Sequence, residues 1–314
     1  MLRESKHIGL TFTADHIRLA QENRDSDAIS KAIHYLTSTT SEDPIVSSQL
    51  ASLRYCFLDD DASGVQAIEM LQQAEWSSTV IHYHETARKL VVWLSVIEAV
   101  RQHPAWADQQ QAWFNALRQQ LVVLDHALDE SNRLDVLWSG VLHIAAGIVL
   151  DDDALFNRGT DIYRLSIKEY IHPEGYLKGI VDVHDAVDTY RLQLSGTGAL
   201  VLMAEMAEHV GVDLWSIDNR GITPTTATAY LLYYYYYPEK WKWDNSLTNE
   251  ITETIIKSKG AFIEIVNRRA PLRGADIFLD DLRPLFGMYC GGLTTLTHGI
   301  PVPQKKKRWG LFGS

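Results

Sequence analysis

Leu58-Asp59-Asp60-Asp61-Ala62 and Leu150-Asp151-Asp152-Asp153-Ala154 are one pentapeptide pattern written twice, and each copy joins two stretches with helical apolar spacing. Ahead of the second copy, Val141, Ile144, Ala145 and Ile148 recur at i, i+3, i+4 and i+7, which places them on one face of a helix. In both copies the aspartates suit the start of the incoming helix, because a carboxylate accepts hydrogen bonds from its first-turn N–H groups and complements its positive end. Each copy therefore reads as the corner of a helical hairpin. Hairpins of this kind cannot bury their apolar faces alone, so they stack into a solenoid or curl into a toroid.

The same spacing recurs at Leu90, Trp93, Leu94 and Ile97 and at Leu200, Met203, Ala204 and Ala207. It predicts helices near 13–22, 28–38, 46–57, 63–75, 83–102, 106–128, 134–150, 154–170, 186–209, 224–237 and 246–267. Sustained alternation of period two is hard to find; the β-branched runs Gly179–Val183 and Thr223–Thr228 are the strand candidates. Pro173 and Gly175 mark a turn, and after Ala270 the helical signal weakens through Pro271, Gly274, Pro284 and Gly291-Gly292. The fold class is all-α, built from helical hairpins. It is expected as a single domain over residues 1–303 followed by a basic tail over 304–314.

Hydrophobic residues make up 46% of the 314 and charged residues 22%, a composition that folds rather than stays disordered. Apolar runs such as Leu90–Leu94 and Gly140–Leu150 fall short of the about 20 residues that span a bilayer, so no membrane span is expected. The opening Met1-Leu2-Arg3-Glu4-Ser5-Lys6-His7 lacks the apolar stretch of a secretory signal. Cys56 and Cys290 have neither metal-knuckle spacing nor disulfide density, and read as buried free thiols. The net charge of −11 disfavours nucleic acid and anionic membrane as partners. A polyanionic substrate would need a local basic groove. The one basic run, Lys305-Lys306-Lys307-Arg308, reads as a solvated tail.

Several pieces, taken in order, resemble the alginate lyase family. His7-Ile8-Gly9-Leu10 with Thr13-Ala14-Asp15-His16-Ile17-Arg18 is similar to that family's opening motif and first helix. Trp138–Trp215 carries the strongest likeness, through Asp153-Ala154-Leu155-Phe156, Pro173-Glu174-Gly175-Tyr176-Leu177 and Glu208–Trp215. Arg283-Pro284-Leu285 and Gly291-Gly292-Leu293-Thr294 resemble its terminal element. The resemblance implies an all-α, incomplete (α/α) toroid built from helical hairpins that cleaves uronate polysaccharides by β-elimination, located in the periplasm or secreted. The N-terminus, which lacks a visible signal, leaves a cytoplasmic location as the alternative.

The family's mannuronate-cleaving members place an Asn-His pair shortly before the tryptophan that corresponds to Trp138. Here, without gaps, Leu134 and Asp135 fall on that pair, and Asn132 matches only after a slip of two residues. The family's Arg and Tyr fall within His184-Asp185-Ala186-Val187-Asp188-Thr189-Tyr190-Arg191. By that resemblance Tyr190, His184 and Arg191 are the candidate catalytic groups and Asn132 a candidate substrate-binding one; Trp138 and Tyr176 are added as candidate substrate-binding residues because flat aromatic faces stack on pyranose rings.

β-Elimination needs one group to neutralise the uronate carboxylate, a base for the adjacent proton and an acid for the leaving oxygen; a tyrosine beside a cation can serve as both acid and base. Against these roles stand structural readings. Tyr190 can pack in the wall with Arg191 paired to Asp188 or Asp185, Asn132 is a natural helix cap, and Trp138 is a packing residue. His143 reads as a core histidine, and His82-Tyr83-His84 is too sparse a signal for a metal. No metal ligand set and no organic cofactor are expected from spacing. Tyr233–Tyr237, with Trp241 and Trp243, must point around a helix, either buried with hydroxyls at the rim or forming a carbohydrate platform. The rivals to a lyase are a toroid that binds glycan or a protein partner without cleaving, and a glycoside hydrolase with a carboxylate pair such as Asp135 and Asp182.

Overall fold

A computed structural model describes residues 9–74, 76, 79–180, 186–243 and 246–300, with residue 186 described in its backbone only. Its helices are α1 (Ala14–Glu22), α2 (Asp27–Ser38), α3 (Pro44–Leu58), α4 (Asp61–Leu71), α5 (Tyr83–Val100), α6 (Ala107–Ala127), α7 (Arg133–Leu150) and α8 (Asp153–Glu169). They continue as α9 (Ala186–His209), α10 (Pro224–Tyr236), α11 (Asn249–Lys259), α12 (Phe262–Arg269), α13 (Ala275–Leu282) and α14 (Thr294–His298). A two-stranded antiparallel ribbon, β1 (Phe286–Gly287) with β2 (Gly292–Leu293), leads into α14.

The two pentapeptides turn the chain in the same way. Asp59 and Asp151 end α3 and α7 in the left-handed region, at φ 54° and 52°. Asp60 then caps α4 by accepting from Ser63 N–H, and Asp152 caps α8 by accepting from Ala154 and Leu155 N–H. Each aspartate thus has a separate task, and an acidic side chain tolerates the left-handed position better than a bulkier residue would.

Helices α3, α5, α7 and α9 pack successively side by side, with α4, α6 and α8 returning between them, so the hairpins curl into an incomplete α/α toroid. α11 and α12 close against α9. Every residue of α7 from Leu134 to Leu150 is buried. Among the described residues α7 is the one helix long and apolar enough to cross a membrane, a property that reading Gly140–Leu150 by itself hides. Here that apolar surface is satisfied by α5, α8 and α9.

Glycine sets the spacing of the α7–α8 hairpin. A Cβ on Gly159 would lie 2.7 Å from Gly140 O and 2.8 Å from Ile144 N, so α8 lies against the backbone of α7 with no room for a methyl group.

Three elements differ from the sequence reading. Thr223–Thr228 is no strand: Thr223 caps α10, and Thr228 Oγ1 donates to Pro224 O at 2.8 Å inside that helix. Gly179–Ile180 forms a turn, and the rest of that strand candidate lies outside the described residues. The single helix expected over 246–267 is two, because Gly260 ends α11 before the chain turns into α12. The tail 304–314 lies outside the described residues.

Candidate active site

α5 and α7 pack against each other and bring His84 to Asp135. His84 Nδ1 lies 2.9 Å from Asp135 Oδ1, and the same oxygen accepts the His84 backbone N–H at 3.3 Å. An ionised carboxylate only accepts, so Nδ1 is the nitrogen that donates in this contact, and the contact leaves Nε2 unused. The His84 side chain is 24% exposed and that of Asp135 10%, which leaves the ring reachable and its anchor covered.

One turn along α5 from His84 stands Arg88, its side chain 11% exposed. Its guanidinium lies 4.7 Å from the ring centre of Tyr289, in the β1–β2 loop, and 5.8 Å from that of Trp138 on α7. Arg88 Nε is buried with no hydrogen-bond partner among the described residues. Lys259, at the end of α11, has its ammonium pulled below the usual lysine range, first by burial and then by Arg88, with Arg191 adding to the effect. Cations from α5, α9 and α11 therefore lie within electrostatic range of one another, with Glu85 3.8 Å from Arg88, and together make a local positive region of the kind a polyanion requires. Burial pushes the Tyr289 phenol above the ordinary tyrosine range, with Arg88 pulling it back, so the hydroxyl keeps its proton at neutral pH.

Among the described residues, the candidates named from sequence are not gathered into one constellation. Tyr190 is fully buried; its hydroxyl donates to Leu231 O at 3.1 Å, and its ring meets Trp241 edge-on at 5.2 Å. Burial pushes its phenol far up. A hydroxyl held in this way has no path to a substrate, so Tyr190 serves here as a wall residue. Arg191 is half-exposed and pairs with Asp188 at 3.3 Å. His184, Asp182 and Asp185 lie outside the described residues.

Asn132 caps α7, accepting from Leu134 N–H at 3.1 Å and Asp135 N–H at 3.4 Å, which commits its oxygen to the helix. Trp138 is buried with its indole N–H donated to Ser195 Oγ at 3.0 Å, and it reaches the positive region only through the Arg88 stack. Tyr176 is partly exposed. Its ring stacks on His172 at 4.3 Å and meets Trp243 at 5.2 Å, and Glu174 pairs with Lys242 beside it. The loop that carries Tyr176 is pinned at Leu177, whose N–H and C=O both bond the buried Gln193 amide at 2.8 Å. Gly175 sits in this loop at φ 111°, where a Cβ would meet Tyr230 Cβ at 2.6 Å.

The tyrosine run divides by face. Tyr234 is buried against Trp241, while Tyr233 and Tyr237 are exposed with Lys240 over both rings. His143 is a core histidine, with Nδ1 2.7 Å from Ser139 O and Nε2 3.2 Å from Asp125.

Sequence reading weighed His84 only as part of a sparse metal signal and passed over Arg88 and Tyr289. The available signal was at Asp135, which stands where the resemblance puts a histidine. A carboxylate there invites a search for an imidazole elsewhere, and α5 supplies it at His84, 51 positions upstream.

No curated protein matches the chain in sequence. In structure it is similar to a histidine-to-alanine variant of alginate lyase A1-III complexed with a tetrasaccharide, with TM-score 0.77 and 15% identity over 96% of this chain and 97% of that one. Alginate lyase A1-III from Sphingomonas species A1 gives TM-score 0.69 and 17% identity over 82% and 76% of the two chains. An alginate lyase from Bacteroides ovatus gives 0.68 and 12% over 92% and 98%. These likenesses concern the fold. The family model for alginate lyase matches residues 24–241, more than half of the chain, and on that ground the chain belongs to the alginate lyase family.

Proposed function

We propose that this protein is a polysaccharide lyase that cleaves a uronate-containing, alginate-like glycan by β-elimination, with His84 as base, Tyr289 as acid and Arg88 as the group that neutralises the substrate carboxylate. The observation that carries the reading is the His84–Asp135 pair set one helical turn from Arg88, which in turn stacks on Tyr289. In the reaction Arg88, with Lys259 and Arg191 nearby, holds the uronate carboxylate and makes its neighbouring C–H acidic. His84 Nε2 takes that proton, and Asp135 supports the imidazolium that forms. The electron pair forms the C=C bond and expels the glycosidic oxygen, to which the Tyr289 hydroxyl gives its proton. Atoms and charges close with one unsaturated uronate and one new sugar hydroxyl. Tyr176 with Trp243 is suited to stack a further ring of the chain.

Support comes from family membership and from the local positive region that these cations make in an otherwise acidic protein. The family resemblance also points to a periplasmic or secreted protein. A non-cleaving glycan binder is favoured by one observation, that Leu134 and Asp135 stand in place of the Asn-His pair.

The test is ultraviolet absorbance of unsaturated uronate during incubation with alginate, its polymannuronate and polyguluronate blocks, and polygalacturonate. A rising signal that falls by roughly 10²- to 10⁴-fold in His84→Gln and in Tyr289→Phe, as expected on removing a general base or acid, supports the reading. Tyr190→Phe is expected to retain most activity. No absorbance across the panel, with glycan retained on the folded protein, would establish the binder. New reducing ends without absorbance would establish a hydrolase.

A further inference from the structure

Away from this site, α1, α9 and α14 bury three imidazoles around one carboxylate. His16, Glu205 and His298 are 8%, 5% and 2% exposed, and one ligand-capable atom from each lies within 4.8 Å of the other two. His209, one turn along α9 from Glu205, joins them: its Nε2 is 3.0 Å from Glu205 Oε1, and His298 Nε2 is 3.3 Å from the same oxygen. The rings of His16 and His298 are 4.7 Å apart at their centres, and those of His16 and His209 5.4 Å.

The hydrogen bonds leave this cluster short of a cation. His209 Nδ1 lies 3.0 Å from Leu10 O and must donate to it, so a neutral His209 turns a lone pair toward the Glu205 carboxylate. Two acceptors in contact require a proton or a metal ion between them. His16 Nε2 is buried with no hydrogen-bond partner among the described residues. The outer partners needed to orient a ligand set are already present: Trp215 N–H donates to Glu205 Oε2 at 3.2 Å, Thr297 Oγ1 lies 2.7 Å from His298 Nδ1, and Leu10 O holds His209. Arg268, close enough for its charge to act on Glu205 and His16, donates its hydrogen bonds to Thr297 O at 3.5 Å and Ile300 O at 3.0 Å.

We propose that His16, Glu205, His209 and His298 form a binding site for one divalent transition-metal ion, of which Zn2+ fits the three-nitrogen, one-oxygen donor set best. With the partly buried His209 drawn in as fourth ligand beside the three buried ones, the site is closed and structural. The ion ties α1 and α14, from opposite ends of the described chain, onto α9. Ligation through His16 Nε2 moves its ring proton to Nδ1. Thr13 Oγ1, 2.9 Å away, accepts it there in place of the Thr13 N–H that Nδ1 now receives at 3.1 Å.

The experiment uses the full chain, stripped with chelator and titrated with Zn2+ and, separately, with Co2+. The expected result is one equivalent bound, a raised melting temperature that chelator reverses, and the visible absorption of a four-coordinate Co2+ centre. His16→Phe keeps a ring in the packing and removes the nitrogen, so it should fold and lose about tenfold or more in metal affinity. Glu205→Gln should remove the Co2+ absorption. A wild-type chain that takes up no ion, with an unchanged melting temperature, would overturn the proposal, as would an equivalent bound with unaltered affinity by His16→Phe. The wild-type titration decides the question even where a variant fails to fold, and none of these readouts depends on glycan cleavage.

Discussion

Asp135→Asn separates two things that the carboxylate does for His84. The asparagine oxygen can still accept the His84 backbone N–H and the ring Nδ1–H, now 3.3 and 2.9 Å from Asp135 Oδ1. The backbone donor disfavours the flipped amide, which would place an NH2 group against that N–H. The ring therefore keeps its tautomer, and only the charge is lost. A hydrogen bond to a charged group contributes about 1.5–3 kcal/mol against about 1 for a neutral pair, so the imidazolium formed on proton abstraction loses about 0.5–2 kcal/mol of support. That difference corresponds to a roughly 2- to 30-fold fall in turnover. Asp135→Leu, which releases the ring altogether, should approach the loss seen for His84→Gln. Initial rates of unsaturated-uronate absorbance at saturating glycan measure all three, with circular dichroism to establish folding. Equal rates for wild type, Asp135→Asn and Asp135→Leu would refute the assignment of His84 as a base oriented by Asp135.

Three further outcomes follow from the packing. Gly159→Ala inserts a methyl group 2.7 Å from Gly140 O and 2.8 Å from Ile144 N, where the neighbour is backbone and cannot step aside. We expect a loss of about 3 kcal/mol in urea unfolding, the upper part of the range for overpacking. Gln193→Met keeps the volume but leaves the Leu177 N–H and C=O unpaired in a buried place, which should destabilise by about 2–4 kcal/mol in the same assay. Burial pushes the Cys56 thiol up to about 12 and that of Cys290 up to about 11. At pH 8 both stay protonated, so the native protein should resist a thiol-disulfide reagent for as long as it stays folded, and denaturant should expose two reactive thiols; rapid reaction of the native chain would contradict this burial.

Much of the architecture could be read from local chemistry, because a helical hairpin announces itself in few residues. The Leu-Asp-Asp-Asp-Ala corner carries its left-handed residue, its cap and its first-turn acid in order, and the structure uses them in that order. Where the reading failed, apolar spacing ran on past a chain break in direction. Ile255, Ile256, Phe262 and Ile263 are all buried, so periodicity does not register Gly260, which ends one helix and lets the next begin. Thr223–Thr228 misled in the opposite sense: threonine suits strands, yet Thr223 here is a helix cap and Pro224 opens the first turn. The candidate site was less legible than the fold. A tyrosine adjacent to an arginine attracts notice in sequence, but at Tyr190 and Arg191 helical geometry sends one side chain into the core and the other to the surface. The pairing of His84 with Asp135, and of His16 with Glu205 and His298, depends on which helices become neighbours, which the spacing within any one helix does not encode.

The clasp of Gln193 on Leu177 bears on how a glycan would be held. Both backbone groups of Leu177 are anchored to a buried side chain of α9, and Tyr176 stands next to that anchor with His172 stacked on its other flank. A surface loop ordinarily surrenders its freedom when a ligand arrives, and the affinity falls by that amount. Here the ordering is completed during folding, before any sugar arrives. The aromatic face is a fixed step rather than a moving one, so a pyranose ring settling on Tyr176 would lose mainly its own mobility.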